Sequence, residues 1–354
     1  KWETSTKLDI GLNYGFLNDK ITGELTYYKN NIDGLILNSP LSPSMGVPGN
    51  SVAKNVGAMF NQGVEFAVNA HIINKGDFKW SSNFNIATQK NEVTALAEGN
   101  ADIFGVTQLE TANITRVGYS VGSLYAVETR GINPENGRRI FINKAGKEVQ
   151  YSHSVATGQS RWTYLDGTTA PAITVAADAK IMGNTIPKFY GGWDNNFSYK
   201  KFDLNVSLVY AGGFYVYNGT KAGLHDQRFW NNEADILDRW TPDTKTTATW
   251  PKVIYGDNVS NGSSFPISNN IEKGDFIKCR NIALGYALPT SLTQKAKISS
   301  ARIFGQVTNA FMLTKYTGTD PETSSNGNSN LAPGVDKNSI PQARTVSCGL
   351  SLTF

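Results

Sequence analysis

Apolar and polar residues alternate with period two in nine separate stretches of the chain, the pattern of extended strands with two unlike faces. In "KLDIGLNYGF" (7–16), Leu8, Ile10, Leu12, Tyr14 and Phe16 form one row against Lys7, Asp9, Gly11, Asn13 and Gly15. "ITGELTYY" (21–28) contributes Ile21, Leu25 and Tyr27, and "GVEFAVNAHI" (63–72) contributes Val64, Phe66, Val68, Ala70 and Ile72. "KWSSNFNIATQ" (79–89) sets Trp80, Phe84 and Ile86 in one row, and the weaker "FYGGWDNNFSY" (189–199) sets Trp193, Phe197 and Tyr199. "FDLNVSLVY" (202–210) opposes Phe202, Leu204, Val206, Leu208 and Tyr210 to Asp203, Asn205 and Ser207. "FIKCRNIALGYAL" (276–288) carries Ile282, Leu284, Tyr286 and Leu288, and "ARIFGQVTNAF" (301–311) alternates around Ile303 and Val307. The last ten residues, "TVSCGLSLTF", place Val346, Cys348, Leu350, Leu352 and Phe354 on one side. The pattern predicts an all-β chain of nine strands.

The connections predicted between them alternate between short and long. "LNDK", "NKGD", "KK" and "PTSLTQKAK" are short; the others, at about 31–55, 91–187, 211–273 and 314–342, are far longer than the ~2–5 residues of a soluble hairpin. Short turns at one end and long loops at the other are the signature of a transmembrane antiparallel β-barrel of the outer membrane, with the long loops extracellular. In hydrocarbon every backbone N–H and C=O must be paired, so only helices or closed barrels span, and the outward row must be apolar. No Asp, Glu, Lys or Arg enters the apolar rows until Lys278 and Arg280, which are expected at the loop end of their strand, exposed to solvent. Aromatics should gather at the two interfaces as girdles. Phe16, Tyr199, Phe202, Tyr286 and Phe354 fall near the short-turn side, and Tyr210 at the other end of the strand that Phe202 opens. Eight steps of ~3.3 Å separate Phe202 from Tyr210, about 26 Å, the height of an apolar band. Nine is odd, whereas bacterial single-chain barrels have even counts, so residues 1–354 are expected to be the C-terminal portion of a larger barrel.

Composition agrees. Charged residues are 18% of the chain, below the ~25% of ordinary soluble domains, against 40% hydrophobic residues. The net charge of +4 is spread without a basic block, which argues against a nucleic-acid partner. No apolar run approaches the ~18 residues of a transmembrane helix. The chain opens on Lys1 with no signal-peptide pattern, as expected of a mature, trimmed or internal piece. Cys279 and Cys348 are too few for a disulfide framework, and in a regular strand they fall on opposite rows. His71, His153 and His225 have no partners at metal-ligand spacing and read as lumen or loop residues, and "GINPENGRR" reads as a turn. Asp320-Pro321-Glu322 reads as a loop anchored by hydrogen bonds, with calcium or sugar contact as the alternative. No catalytic constellation and no cofactor motif is found, so no enzyme is predicted.

The ordered series "KWETS", "NVGAMFNQGVEF", "KWSSNFNIATQKNEV", "ITRVGYSVGSLYAVETRGINPENG", "IPKFYGGWDNNFSYKKFDL", "ILDRWTPDT", "FIKCRNIALGYALP", "LTKYTGTDPE" and "PQARTVSCGLSLTF" resembles the SusC/RagA-like TonB-dependent transporters of Bacteroidota outer membranes over essentially the whole chain. The resemblance implies a 22-stranded barrel with an N-terminal plug. Plug, TonB-contacting segment and earlier strands would lie upstream or in another chain. It also implies a SusD-like lipoprotein over the extracellular mouth, energy from periplasmic TonB, and a C-terminal aromatic, here Phe354, read by the assembly machinery.

A substrate would meet the long loops and the polar row. Aromatic faces stack on sugar rings while Arg and Asn bond hydroxyls, which singles out Arg161, Trp162 and Tyr164 in one loop and Arg228, Trp230 and Trp250 in another. Arg239 and Trp240 belong to the family's "RWTPDT" and are expected to pack the loop. For Trp162 and Tyr164, loop packing or partner contact is the competing reading. The function so read is TonB-energised uptake of oligosaccharides or peptides. A passive porin and a secreted glycan-binding β-protein are the alternatives.

Overall fold

A computed structural model describes residues 2–354 apart from 41–42, 49–50, 106–111 and 328. Nine antiparallel strands form one sheet in chain order: β1 (Thr4–Phe16), β2 (Ile21–Pro40), β3 (Ser51–Lys75), β4 (Phe78–Ala95), β5 (Phe189–Tyr199), β6 (Phe202–Gly212), β7 (Phe276–Ala287), β8 (Ser300–Thr314) and β9 (Thr345–Thr353). Each pairs with its neighbour in sequence, which is an up-and-down meander. The β1–β2, β3–β4, β5–β6 and β7–β8 connections all lie at one end of the sheet. Lys200 takes a left-handed φ of 55° in the two-residue β5–β6 turn, and Gly76 a φ of 60° in the β3–β4 turn, where glycine carries no steric cost.

At the other end the structure corrects the expected loop at 31–55. β2 and β3 stay paired from Ile21↔Ala70 to Pro40↔Ser51, with irregular register around Gly34 (φ 69°). A two-stranded ribbon satisfies its own backbone groups, so it can run past its neighbours without being buried. The β4–β5 connection is a folded body. It holds one four-stranded sheet of Ile103–Gly105, Asn113–Thr115, Ser123–Val127 and Ala179–Gly183. A second is built from Thr129–Ile132, Arg139–Ile142, Glu148–Tyr151 and Trp162–Tyr164. A small three-stranded sheet ties the next two connections together, with Tyr215–Asn218 antiparallel to Ile271–Lys273 and parallel to Val335–Asp336.

The buried apolar clusters sit in this loop body. One holds Val127, Phe141, Val149, Tyr151, Ala170, Ile173 and Ile267; a second, at the loop end of the sheet, holds Ala211, Phe214, Val216, Phe276 and Tyr316. A third joins three connections through Ala112, Leu124, Tyr217 and Val335. Along the middle of the nine-stranded sheet, by contrast, large apolar side chains stay uncovered.

Candidate functional site

The first feature is that uncovered face. Leu12 is 63% exposed, Leu284 53% and Leu350 57%, and Leu8, Ile10, Leu25, Trp193 and Ile303 are exposed too. The pairings Ile10↔Tyr27, Leu12↔Leu25, Trp193↔Phe84, Leu204↔Leu284 and Ile303↔Leu350 align these residues across strands into one continuous apolar face. Two polar residues interrupt it, Ser82 and Asn195, and both are buried. Trp193 donates its indole N–H to Ser82 Oγ (2.8 Å), and Trp80 donates to Asn195 Oδ1 (3.1 Å). The two indoles therefore cover the polar groups with ring surface while satisfying them, which removes the penalty of an orphaned acceptor on an apolar face. Toward the loops the face ends in charge, with Lys29 and Lys90 lying 5.6 and 5.4 Å from the centre of the Phe60 ring.

The opposite face is polar and internally bonded. Asn281 donates to Asn205 (3.2 Å) and Asn205 to Asn196 (2.9 Å), Ser207 donates to Asp194, and Arg302 forms an ion pair with Asp203. Lys278 belongs to this face, which corrects the sequence expectation. A bulge at Arg280 shifts the β7 register, so Ser207 faces Asn281 while Leu208 faces Cys279. One extra residue exchanges the two rows beyond it. Lys278 turns to the polar side and is buried rather than exposed, its ammonium 2.8 Å from both Asp320 and Glu322. Arg280 binds Glu322 at 2.7 Å and accepts company from Gln342, to whose Oε1 it donates at 3.1 Å. "TGTDPE" is thus a loop anchor on β7. The same shift puts Cys279 on the row of Cys348; both thiols are free, one buried and one exposed.

The aromatic candidates lie at or near strand ends. Tyr199 and Phe202 flank the β5–β6 turn, and Tyr286 lies opposite Phe202 with ring centres 4.6 Å apart. Phe16 (59% exposed) closes β1 at the same end, and Phe354 follows β9. Tyr210 sits at the loop end of β6, stacked on Phe84 and donating to the Asn85 carbonyl at 2.7 Å.

The loop candidates separate. Trp162 packs edge-on to Phe141 and against Tyr151, and Tyr164 lies on the same cluster. Arg161 is exposed beside the Tyr151 hydroxyl. Trp250 is buried, stacked on His225 with ring centres 3.6 Å apart. Arg228 is tied to Asp226 by paired hydrogen bonds down to 2.6 Å, whereas Trp230 and its neighbour Phe229 stand out from the surface. Trp240 is buried, donating to the Pro134 carbonyl at 2.8 Å with its ring against Gly137. Electrostatics in the loop body follow burial. Burial pushes the Arg139 guanidinium down to about 10, against the opposing pull of Asp257, and its Nε donates to the Ser260 carbonyl at 2.6 Å. Burial, reinforced by the Asp336 carboxylate, drives the Tyr316 phenol far up. Burial alone would raise Asp226, but hydrogen bonds from Arg228 and Ser263 outweigh it and hold the carboxyl below its ordinary range.

Residues 1–241 match the family described as TonB dependent receptor-like, beta-barrel. The chain belongs to this family. Its members are transporters rather than enzymes. Similar proteins include a TonB-dependent receptor of Formosa agariphila, 29% identical over 363 residues, and the TonB-dependent receptor SusC of Bacteroides thetaiotaomicron, 30% identical over 375. Each match covers all of this chain but 34% and 32% of the relative, so the chain spans about a third of their length. Among solved structures, the RagAB peptide importer in its closed-closed and open-open states superposes with TM-scores of 0.76 and 0.77. These are 24% identical, covering the whole chain and 36% and 35% of the larger one, and show a shared fold.

Two features of this TonB-dependent receptor chain leave little trace in its sequence. The bulge at Arg280 leaves no mark in the period-two pattern except a charged residue where the row should be apolar. His225, set aside for lack of motif spacing, lies with Glu233 and Asp235, their ligand atoms all within 4.8 Å of one another. The short range 225–235 was the available signal.

Proposed function

We propose that residues 1–354 form the C-terminal portion of the wall of an outer-membrane importer. The apolar face meets lipid and the polar face lines the lumen. The observation that carries this reading is the continuous apolar face left uncovered along the nine strands, while the buried apolar clusters gather in the loops and at the loop end of the sheet. The short turns then face the periplasm, with Phe16, Tyr199, Phe202, Tyr286 and Phe354 at that interface and Tyr210 at the outer one. The loop body faces outward, where a SusD-like lipoprotein would cover it. TonB, acting through an upstream segment, would supply the energy, and a plug and further strands would complete the barrel. The cargo is an oligosaccharide or a peptide, a range supported by similarity to SusC and by the fold of the RagAB peptide importer. Exposed Trp230 and Arg161, with Arg228, are the loop residues placed to touch it; Trp162, Tyr164 and Trp250 hold the loops that present them.

The test is uptake of labelled oligosaccharide and peptide pools by cells carrying the full-length receptor, with and without a functional TonB and the adjacent lipoprotein gene. Accumulation is expected to vanish without TonB. Accumulation that persists unchanged in the TonB-deficient cells would mean passive diffusion through a pore.

A further inference from the structure

We propose that His225, Glu233 and Asp235 bind a divalent first-row transition metal that pins the long β6–β7 connection; the site stands independently of the transport reading. His225 follows the short helix Gly219–Leu224, and the two carboxylates come from the next turn, with Asp235 in Ala234–Asp238. The imidazole is fully buried. Its Nδ1 lies 2.8 Å from the Lys221 carbonyl, which only accepts hydrogen bonds, so Nδ1 carries a proton. Its Nε2 points at Asp235 Oδ1, 2.6 Å away, a second acceptor when ionised. At that separation a proton joins the pair while the site is empty, and an entering cation would displace it and part the two atoms.

A proton would serve for two groups, but here three converge. Glu233 brings a second carboxylate into the same space, all ligand atoms lying within 4.8 Å of one another, where two like charges repel without a cation. The Lys221 ammonium, on the same cavity, does not supply it. Lys221 is committed to Glu272 at 3.1 Å and to the Asn269 carbonyl at 3.3 Å. The adjoining cavity, about 480 Å³, is also lined by Asp336, whose buried Oδ1 has no hydrogen-bond partner.

The outer contacts have the form that orients metal ligands. A backbone carbonyl fixes the histidine tautomer, and the Trp250 indole N–H holds Asp235 Oδ2 at 3.0 Å while its ring stacks on the imidazole. One imidazole with two carboxylates suits zinc, manganese, iron or cobalt rather than calcium, which takes oxygen ligands alone.

The experiment uses the full-length receptor in detergent, stripped with EDTA and dialysed against ZnCl2, with bound zinc counted by mass spectrometry. Wild type should retain one equivalent more than His225→Gln, and Co2+ in place of zinc should give visible absorption that this variant lacks. Glu233 is exposed, so Glu233→Gln keeps the fold and should weaken zinc binding about tenfold or more. Equal zinc content in all three proteins, or displacement of the zinc by millimolar Ca2+, would overturn the proposal. The His225–Asp235 contact would then be bridged by a proton.

Discussion

Tyr14 and Tyr210 each lie across a glycine of the neighbouring strand and reach a carbonyl one strand further on. Tyr14 faces Gly23 and donates to Ala67 at 3.1 Å; Tyr210 faces Gly191 and donates to Asn85 at 2.7 Å. A ring can lie flat there only because the glycine has no side chain. A Cβ on Gly191 would come within 2.6 Å of the Tyr210 hydroxyl and closer still to the Asn85 carbonyl. Gly191→Val should therefore lower unfolding stability by about 1–3 kcal/mol in a urea titration in vesicles. Gly305→Ala, whose new methyl meets only the Ser347 carbonyl at 4.0 Å, should stay within about 0.5 kcal/mol of wild type. Asp226 supplies the second test at this scale. Its carboxyl is held below the ordinary ~3.9, so its contribution is complete above that value and is lost as pH falls through the depressed one. Proteolysis of the 219–274 connection should accelerate in that acidic range, and Asp226→Asn should remove the acid-dependent step.

At the scale of elements, the bulge in β7 decides which side of the sheet two basic residues serve. With Lys278 on the polar side, its ammonium clamps the 315–342 connection to the strand through Asp320 and Glu322. Lys278 and Asp320 are each only 4% exposed, so water screens little of this contact. Lys278→Met would leave Asp320 buried without its cation and should cost about 3–5 kcal/mol, read by chemical denaturation. Hydrogen exchange should localise the loosening to 315–342. A double-mutant cycle with Asp320→Asn separates the pair's coupling from the loss of packing; two additive substitutions would show that the clamp carries no energy.

At the scale of the whole molecule, the sheet is stabilised by what meets its apolar face, because nothing within the described chain covers it. Val206 and Asn205 are adjacent on β6 and point to opposite faces. Val206→Arg should destabilise the receptor folded in lipid by about 2–4 kcal/mol, whereas Asn205→Arg should be nearly neutral. Equal costs at the two positions would mean that the apolar face does not meet hydrocarbon.

Nine strands, their order along the chain and the side each one turns to the apolar face were legible in the sequence, because a period of two is a local property of residues i and i+2. The same holds for the aromatics at strand ends, whose spacing follows from the rise per residue. What folding alone decided are contacts between residues far apart in the chain. Trp80 and Trp193 shelter Asn195 and Ser82, a bulge turns Lys278 toward Asp320 and Glu322, and the connections build a body with its own core. Trp162 and Trp250 could be read from the sequence as exposed platforms because composition cannot say which aromatic a loop buries. That choice rests on the pairing of Glu148–Tyr151 with Trp162–Tyr164 and on the stack over His225, neither of which any local pattern encodes.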